Sequence, residues 1–252
     1  YCPNNVAICM SGDFDPDKVI AIIDKYFGSW KANPTLSRPE YAPVPALTAP
    51  ADTTVVGQEA ENVMLGWRFD AAASMQQDTL DVIADMLSNG KAGLFDLDLD
   101  QKMMYLGGAA FTYPLAEYSS FIVEGLPKEG QTLDQVRDLM LGEIDKLKRG
   151  EFADDLLPSV INNMKLKAYN EMESNDSRAS KFVDAFINQQ KWSDVVGRLD
   201  RISHITKEQI INFARRHFLD NYVAVYKRQG VDSTQKKIDK PQITPIPANR
   251  DK

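Results

Sequence analysis

Histidine is nearly absent from this sequence: His204 and His217 are the only two in 252 residues. They stand thirteen positions apart, with no glutamate placed to join them in a ligand motif, so both read as structural rather than metal-binding. His217 follows Arg215 and Arg216 at an expected helix end, where a cationic ring would favour the helix dipole. Cysteine is as scarce. Cys2 and Cys9 flank one expected strand, whose seven residues set them about 23 Å apart at ~3.3 Å per residue. A disulfide needs Cα atoms within about 7 Å, so the two do not pair while that strand is formed, and the compartment stays open. No apolar run approaches the roughly 18 residues of a membrane-spanning helix. Positive charge is also short, with 29 Lys and Arg against 36 Asp and Glu, a net charge of −7 and a pI near 5.0. That balance argues against a nucleic-acid surface. The sequence has no G-x-S-x-G elbow and no glycine loop with a following lysine to cradle a phosphate.

What is there suits a globular protein of one large or two small domains, with 43% hydrophobic and 26% charged residues. Residues 87–124 organise the chain. They read as a helix tail, a glycine break, the acidic segment FDLDLD, and two strands at 105–113 and 119–124 joined by a loop at 114–118. Helical patterns lie on both sides of that hairpin. The expected fold class is therefore α+β, a mostly antiparallel sheet covered by helices.

Ahead of the hairpin, residues 5–10 (NVAICM) form an apolar run expected as a buried strand. Asp15 and Pro16 start a helix whose stripe is Val19, Ile22, Ile23, Tyr26 and Phe27, and Gly28 stops it. A strand and one helix are too small to fold alone, so this opening is expected to complete a domain encoded upstream. Residues 34–52 are punctuated by proline and read as an extended linker laid along a surface. Two strands follow within 53–69, and Ser74 with Gln77 forms a capping box for a helix carrying Leu80, Ile83 and Leu87.

Beyond the hairpin, Thr132 and Gln135 make a second box. Leu133, Val136, Met140, Ile144 and Leu147 follow at helical spacing, and Gly150 ends the helix. Residues 154–192 read as two helices broken at 174–177, then short helices at 195–202 and 207–218, a last strand at 222–227, and a polar tail from 231. NNVAI at 4–8 echoes NYVAV at 221–225, as expected if a strand closes each of two duplicated domains.

The segment FDLDLD alternates with a period of two, which says strand. Its aspartates also invite a calcium loop, but a loop begun at Asp96 places Gln101 where glycine is required and Gly107 where the bidentate glutamate is required. A solvated acidic face is the better reading.

A glycine turn, a short segment ending in Tyr105 and two strands resemble the second-domain signature of the insulinase/pitrilysin-type zinc metallopeptidases. Residues 1–30, YCPNNVAICMSGDFDPDKVIAIIDKYFGSW, resemble that family's Y-x-P-x-N, strand, Gly-Asp, helix passage. Residues 202–230, ISHITKEQIINFARRHFLDNYVAVYKRQG, resemble its closing helix and strand. The resemblance implies a LuxS/mitochondrial processing peptidase-like fold, with FDLDLD as a short helix. It also implies a piece of a long, two-half peptidase. Residues 1–33 then complete or lead from an upstream domain, 34–52 are a linker, 53–230 are the non-catalytic domain and 231–252 a C-terminal linker.

The family's H-x-x-E-H zinc motif is not present here, so the resemblance places zinc in the parent protein and none in this chain. In its metal-free half the family carries an arginine and a tyrosine seven residues apart that contact substrate. Tyr105 matches the tyrosine by position, but Asp98 occupies the arginine position. Tyr105 therefore reads first as a packed aromatic at a strand start and second as a substrate contact.

The expected function is that of a non-catalytic domain lining the closed chamber of a zinc metalloendopeptidase, with peptide substrate and the other peptidase half as partners. The chain alone is expected to be inactive. The alternatives are a purely structural relative, as in respiratory-complex core subunits, and a generic α/β binding module. The opening segment is expected either to dock on residues 53–230 or to pair with a second copy as a homodimer.

Overall fold

The computed structural model describes residues 2–232. Five strands form one sheet in the order β1–β5–β2–β4–β3, namely β1 (Ala51–Gly57), β2 (Asn62–Asp70), β3 (Gly107–Pro114), β4 (Tyr118–Leu126) and β5 (Val223–Gln229). β5–β2, β2–β4 and β4–β3 are antiparallel, while β1 lies parallel to β5. The mostly antiparallel α+β sheet expected from the sequence is the fold observed.

Period-two patterning decides which face of the sheet is covered. Val63, Leu65, Trp67 and Phe69 of β2 are buried, and the register sets Trp67 opposite Phe121 and Leu65 opposite Val123 of β4. Against this face lie α2 (Gln76–Leu87), α3 (Leu133–Arg149) and α8 (Lys207–His217), with α4 (Leu156–Met172) packed on α2. α3 buries its entire expected stripe, Leu133, Val136, Met140, Ile144 and Leu147. Its Thr132–Gln135 capping box forms, and Gly150 closes it at φ +76°, a left-handed position that suits glycine. A Cβ on Gly125 would stand 2.5 Å from Val136 Cγ1, so α3 sits directly on β4. Trp67 anchors the far end, with its ring 5.4 Å from Phe218 and its indole N–H donating to the Leu219 carbonyl at 2.9 Å.

The remaining helices are peripheral: α1 (Pro16–Phe27), α5 (Asn175–Ile187), α6 (Trp192–Val196) and α7 (Arg198–Ser203). The break between α4 and α5 falls where expected, with Ser174 accepting the Ser177 N–H as an N-cap. Residues 44 and 45 of the proline-rich segment touch the sheet. Arg68 donates to the Val44 and Pro45 carbonyls at 3.0 and 3.2 Å, and the Tyr118 hydroxyl accepts the Val44 N–H at 3.3 Å.

Five local expectations are corrected. Residues 6–10 form no strand; they run as extended coil after a 3₁₀ turn at Pro3–Asn5, with Val6, Ile8 and Met10 exposed. Apolar residues demand burial but do not supply the neighbouring strand. The echo between 4–8 and 221–225 therefore does not amount to a shared element. The Ser74–Gln77 box is not made either. α2 starts at Gln76, Ser74 Oγ accepts the Gln76 N–H in the preceding turn, and the Gln77 amide is drawn to Asp81 at 2.7 Å. β1 begins at Ala51, inside the expected linker. Tyr105 lies two residues ahead of β3 rather than at its start. FDLDLD is helical: Asp96–Asp100 form a single wide π turn, as the family resemblance implied and the alternation did not. From residue 233 onward the expected C-terminal linker lies outside the described residues.

Candidate functional site

The π turn joins α2 to the hairpin, and its three aspartates have three different fates. Asp96 is buried, and its Oδ2 accepts the backbone N–H groups of Asn89, Lys91 and Gly93 at 3.0, 3.0 and 2.8 Å. That carboxylate pins the glycine turn. At Gly93 a Cβ would fall 2.5 Å from the Leu87 carbonyl oxygen, so a side chain there has no room. Asp98 accepts from Lys102 at 2.6 Å and from Lys146 of α3 at 2.8 Å, and these hydrogen bonds hold its carboxyl below the usual aspartate value. Lys146 also donates to Glu143 at 2.9 Å. Burial pulls the Lys146 ammonium down, but its bonds to Asp98 and Glu143 outweigh that and raise it. Glu143 is buried, and desolvation lifts its carboxyl above the usual glutamate value despite Lys146.

Asp100 faces Tyr105. Burial raises the Asp100 carboxyl, and burial together with Asp100 raises the Tyr105 phenol well above its ordinary value. Tyr105 is 3% exposed. Its ring fills the space that Gly108 leaves, since a Cβ on Gly108 would stand 2.5 Å from Tyr105 Oη. Tyr105 Oη, Asp100 Oδ1 and Glu143 Oε2 are buried and make no hydrogen bond of ordinary geometry among the described residues. In this arrangement the phenol remains protonated at neutral pH and is shielded from solvent. Asp98, Lys146 and Glu143 tie the π turn to α3, while the Tyr105 ring packs against the hairpin at Gly108.

The two histidines lie apart from this network and have other work. His204 Nδ1 stands 2.8 Å from the Asp200 carbonyl at an exposed helix end. The ring of His217 packs 4.4 Å from Phe213 and 5.8 Å from Phe69. Burial, and then Arg216, lower its pKa, so the expected cationic ring at the helix end is corrected to an aromatic partner that favours the neutral form. Among the described residues no three His, Cys, Asp or Glu side chains are grouped as metal ligands, and Cys2 and Cys9 are free thiols.

A second polar cluster was missed in the sequence. Asp78 accepts from Arg201 at 2.7 Å and pairs with Arg198, which also reaches Asp81 at 2.6 Å; Thr112 of β3 donates to Asp81 at 2.6 Å. The available signal was the spacing of Asp78, Asp81 and Asp85 along one side of α2. It fixes α7 and β3 to α2 and is structural.

Among the described residues the chain forms a mostly antiparallel sheet backed by helices, with a π turn ahead of its hairpin. The model of the family described as the peptidase M16 inactive domain matches residues 1–164, and the chain belongs to that family. The family expected from the sequence, and the non-catalytic character of this domain within it, are therefore both found. The zinc protease PqqE of Helicobacter pylori is 25% identical over 232 residues, covering 87% of this chain and 50% of that protein. The chain thus spans about half the length of the curated relative it matches. A protease from Helicobacter pylori of known crystal structure has a TM-score of 0.81 at 21% identity, over 86% of this chain and 54% of that one. A peptidase M16 inactive domain from Pseudomonas fluorescens has a TM-score of 0.72 at 13% identity, over 89% and 54%. The first half of the periplasmic protease PqqL from Escherichia coli has a TM-score of 0.67 at 12% identity, over 86% and 49%. These structural likenesses establish the fold.

Proposed function

We propose that this chain is the non-catalytic part of a longer zinc metalloendopeptidase and forms one wall of a chamber that takes unfolded peptides. The observation that carries the reading is the match to an inactive peptidase domain in a chain without the H-x-x-E-H motif, beside a zinc protease of about twice the matched length. In this reading residues 1–33 belong with an upstream body, 34–52 link, 53–230 form the wall, and 231–252 lead onward. Zinc does not fit the residues present here. His204 is engaged at its helix end, His217 is packed among phenylalanines, and among the described residues neither belongs to a group of three metal-ligating side chains. In this reading the metal belongs to the remainder of the protein, as the name of the zinc protease relative supports.

Within this wall Tyr105 acts as a packed aromatic that positions the hairpin, and Asp98 replaces a catalytic cation with a structural ion pair. Support comes from the burial of Tyr105 and the two lysines on Asp98. The reading is tested by metal analysis and peptidase assay of this chain and of the full-length gene product. The chain alone should hold no stoichiometric zinc and cleave no unstructured peptide, with or without Asp98→Arg. The full-length protein should hold zinc and show chelator-sensitive cleavage. A full-length product without zinc or cleavage would identify a structural relative instead.

A further inference from the structure

The turn between Asp100 and β3 carries two methionines, Met103 and Met104, whose backbone is held from both sides. Their N–H groups donate to the Asp100 and Leu99 carbonyls of the π turn at 2.9 and 2.8 Å. Their own carbonyls accept from Lys128 Nζ at 3.1 Å and from Gln131 Nε2 at 2.9 Å. These four bonds keep Met103 at φ +52°, a left-handed conformation that residues with a side chain rarely adopt. With the turn clamped in this way, the Met103 side chain stands in solvent at 75% exposure. It is the most exposed of the nine methionines. Met10, Met75 and Met172 lie at 46–49% and Met104 at 40%, Met64 and Met164 are half-buried, and Met86 and Met140 are sealed in the core.

The thioether sulfur is the soft, polarizable group of this side chain. With a hydroperoxide it forms an S–O bond to the terminal oxygen as the O–O bond breaks. The sulfur gives up two electrons, and the proton of the transferred oxygen passes to the other one, which leaves as an alcohol, or as water from hydrogen peroxide. The product is a polar sulfoxide that reductases return to the thioether. At Met86 or Met140 the new oxygen would be buried in an apolar core, whereas at Met103 it meets water. Oxidation at Met103 therefore makes one apolar point ahead of the hairpin polar and leaves the core as it is. We propose that Met103 is a reversible oxidation site, the methionine of this chain that hydroperoxides take first. The inference stands apart from the peptidase reading.

The test treats the folded 252-residue chain with limiting hydrogen peroxide, quenches it at intervals and maps the oxidised peptides by mass spectrometry. Each methionine is followed separately, so reaction at Cys2 or Cys9 does not enter the ranking. Met103 should oxidise faster than any other methionine by about threefold or more, with Met86 and Met140 last. The chain oxidised at Met103 alone should keep its circular dichroism and thermal midpoint, and a methionine sulfoxide reductase should restore the original mass. Met103→Leu should remove the fastest methionine phase without changing the fold. Another methionine reacting first, or Met103 reacting no faster than Met75 and Met172, overturns the proposal. So does unfolding on oxidation at Met103, or a sulfoxide there that the reductase leaves in place. The same ranking is expected of the full-length gene product, and protection of Met103 there overturns the proposal for the longer protein.

Discussion

α1 and α3 look alike in sequence and differ in what they meet. Each opens on a side-chain cap and carries an apolar stripe, and each ends at a glycine, Gly28 for α1 and Gly150 for α3. α3 buries six residues against the sheet; α1 buries none. Amphipathic spacing and capping specify that a helix forms. Whether the helix adds to the stability of the body depends on a partner surface, which local pattern does not encode.

The contrast is broken most severely in the core. Met140→Ala deletes a fully buried side chain between α3 and β4 and should lower stability by about 2–5 kcal/mol, read by urea denaturation. Gly125→Ala inserts a methyl against Val136 and Met140 and should cost about 1–3 kcal/mol by overpacking. Thr132→Ala removes the α3 cap and should cost about 1 kcal/mol. Asp15→Ala, the matching change on α1, should lower helical ellipticity without moving the global transition.

A smaller effect concerns pH. Burial raises the Glu143 carboxyl, so the folded state binds this proton more tightly than the unfolded chain does. The contribution of Glu143 to stability therefore falls as pH rises from the ordinary glutamate value of 4.5 through the raised folded value. Asp98 acts in the opposite sense, since its lowered carboxyl favours folding above 3.8 and loses that contribution as pH falls through the folded value. Glu143→Gln should flatten the decline between pH 4.5 and neutrality, measured as the urea midpoint across that range. Smallest of all, Ile22→Ala on α1 should change global stability by less than about 0.5 kcal/mol. A larger loss would show that α1 is packed in this chain.

Legibility followed the same division. The hairpin, the α3 cap and stripe, and the break before Ser177 were readable because each is set by neighbours within a few positions. The π turn was not readable from periodicity, because leucine and aspartate alternate there as they would in a strand. What decides it is Asp96 accepting three N–H groups from the preceding turn together with Asp98 reaching Lys146, 48 positions away. The Asp78–Arg201 pairing spans 123 positions, and its one local signal, the aspartate spacing along α2, does not name the arginine partner. Residues 6–10 show the converse, a strand-like composition with no strand beside it. Tyr105 was located by resemblance, and its surroundings became visible only with Gly108 and Asp100 around it.

The position of β5 between β1 and β2 has a consequence in time. Val223 pairs with Ala51, and Ala224 pairs with Leu65, so the first two strands never touch each other. During synthesis they emerge with a slot one strand wide between them. At about 5–20 residues per second, the stretch from Ala51 to Val223 takes roughly 10–30 s to make. Over that interval both flanks of the slot present unpaired backbone groups of the kind that template pairing with foreign strands. The nascent chain is thus at greatest risk of mispairing just before its last strand arrives, and a ribosome stalled after α8 would hold an open sheet rather than a folded domain.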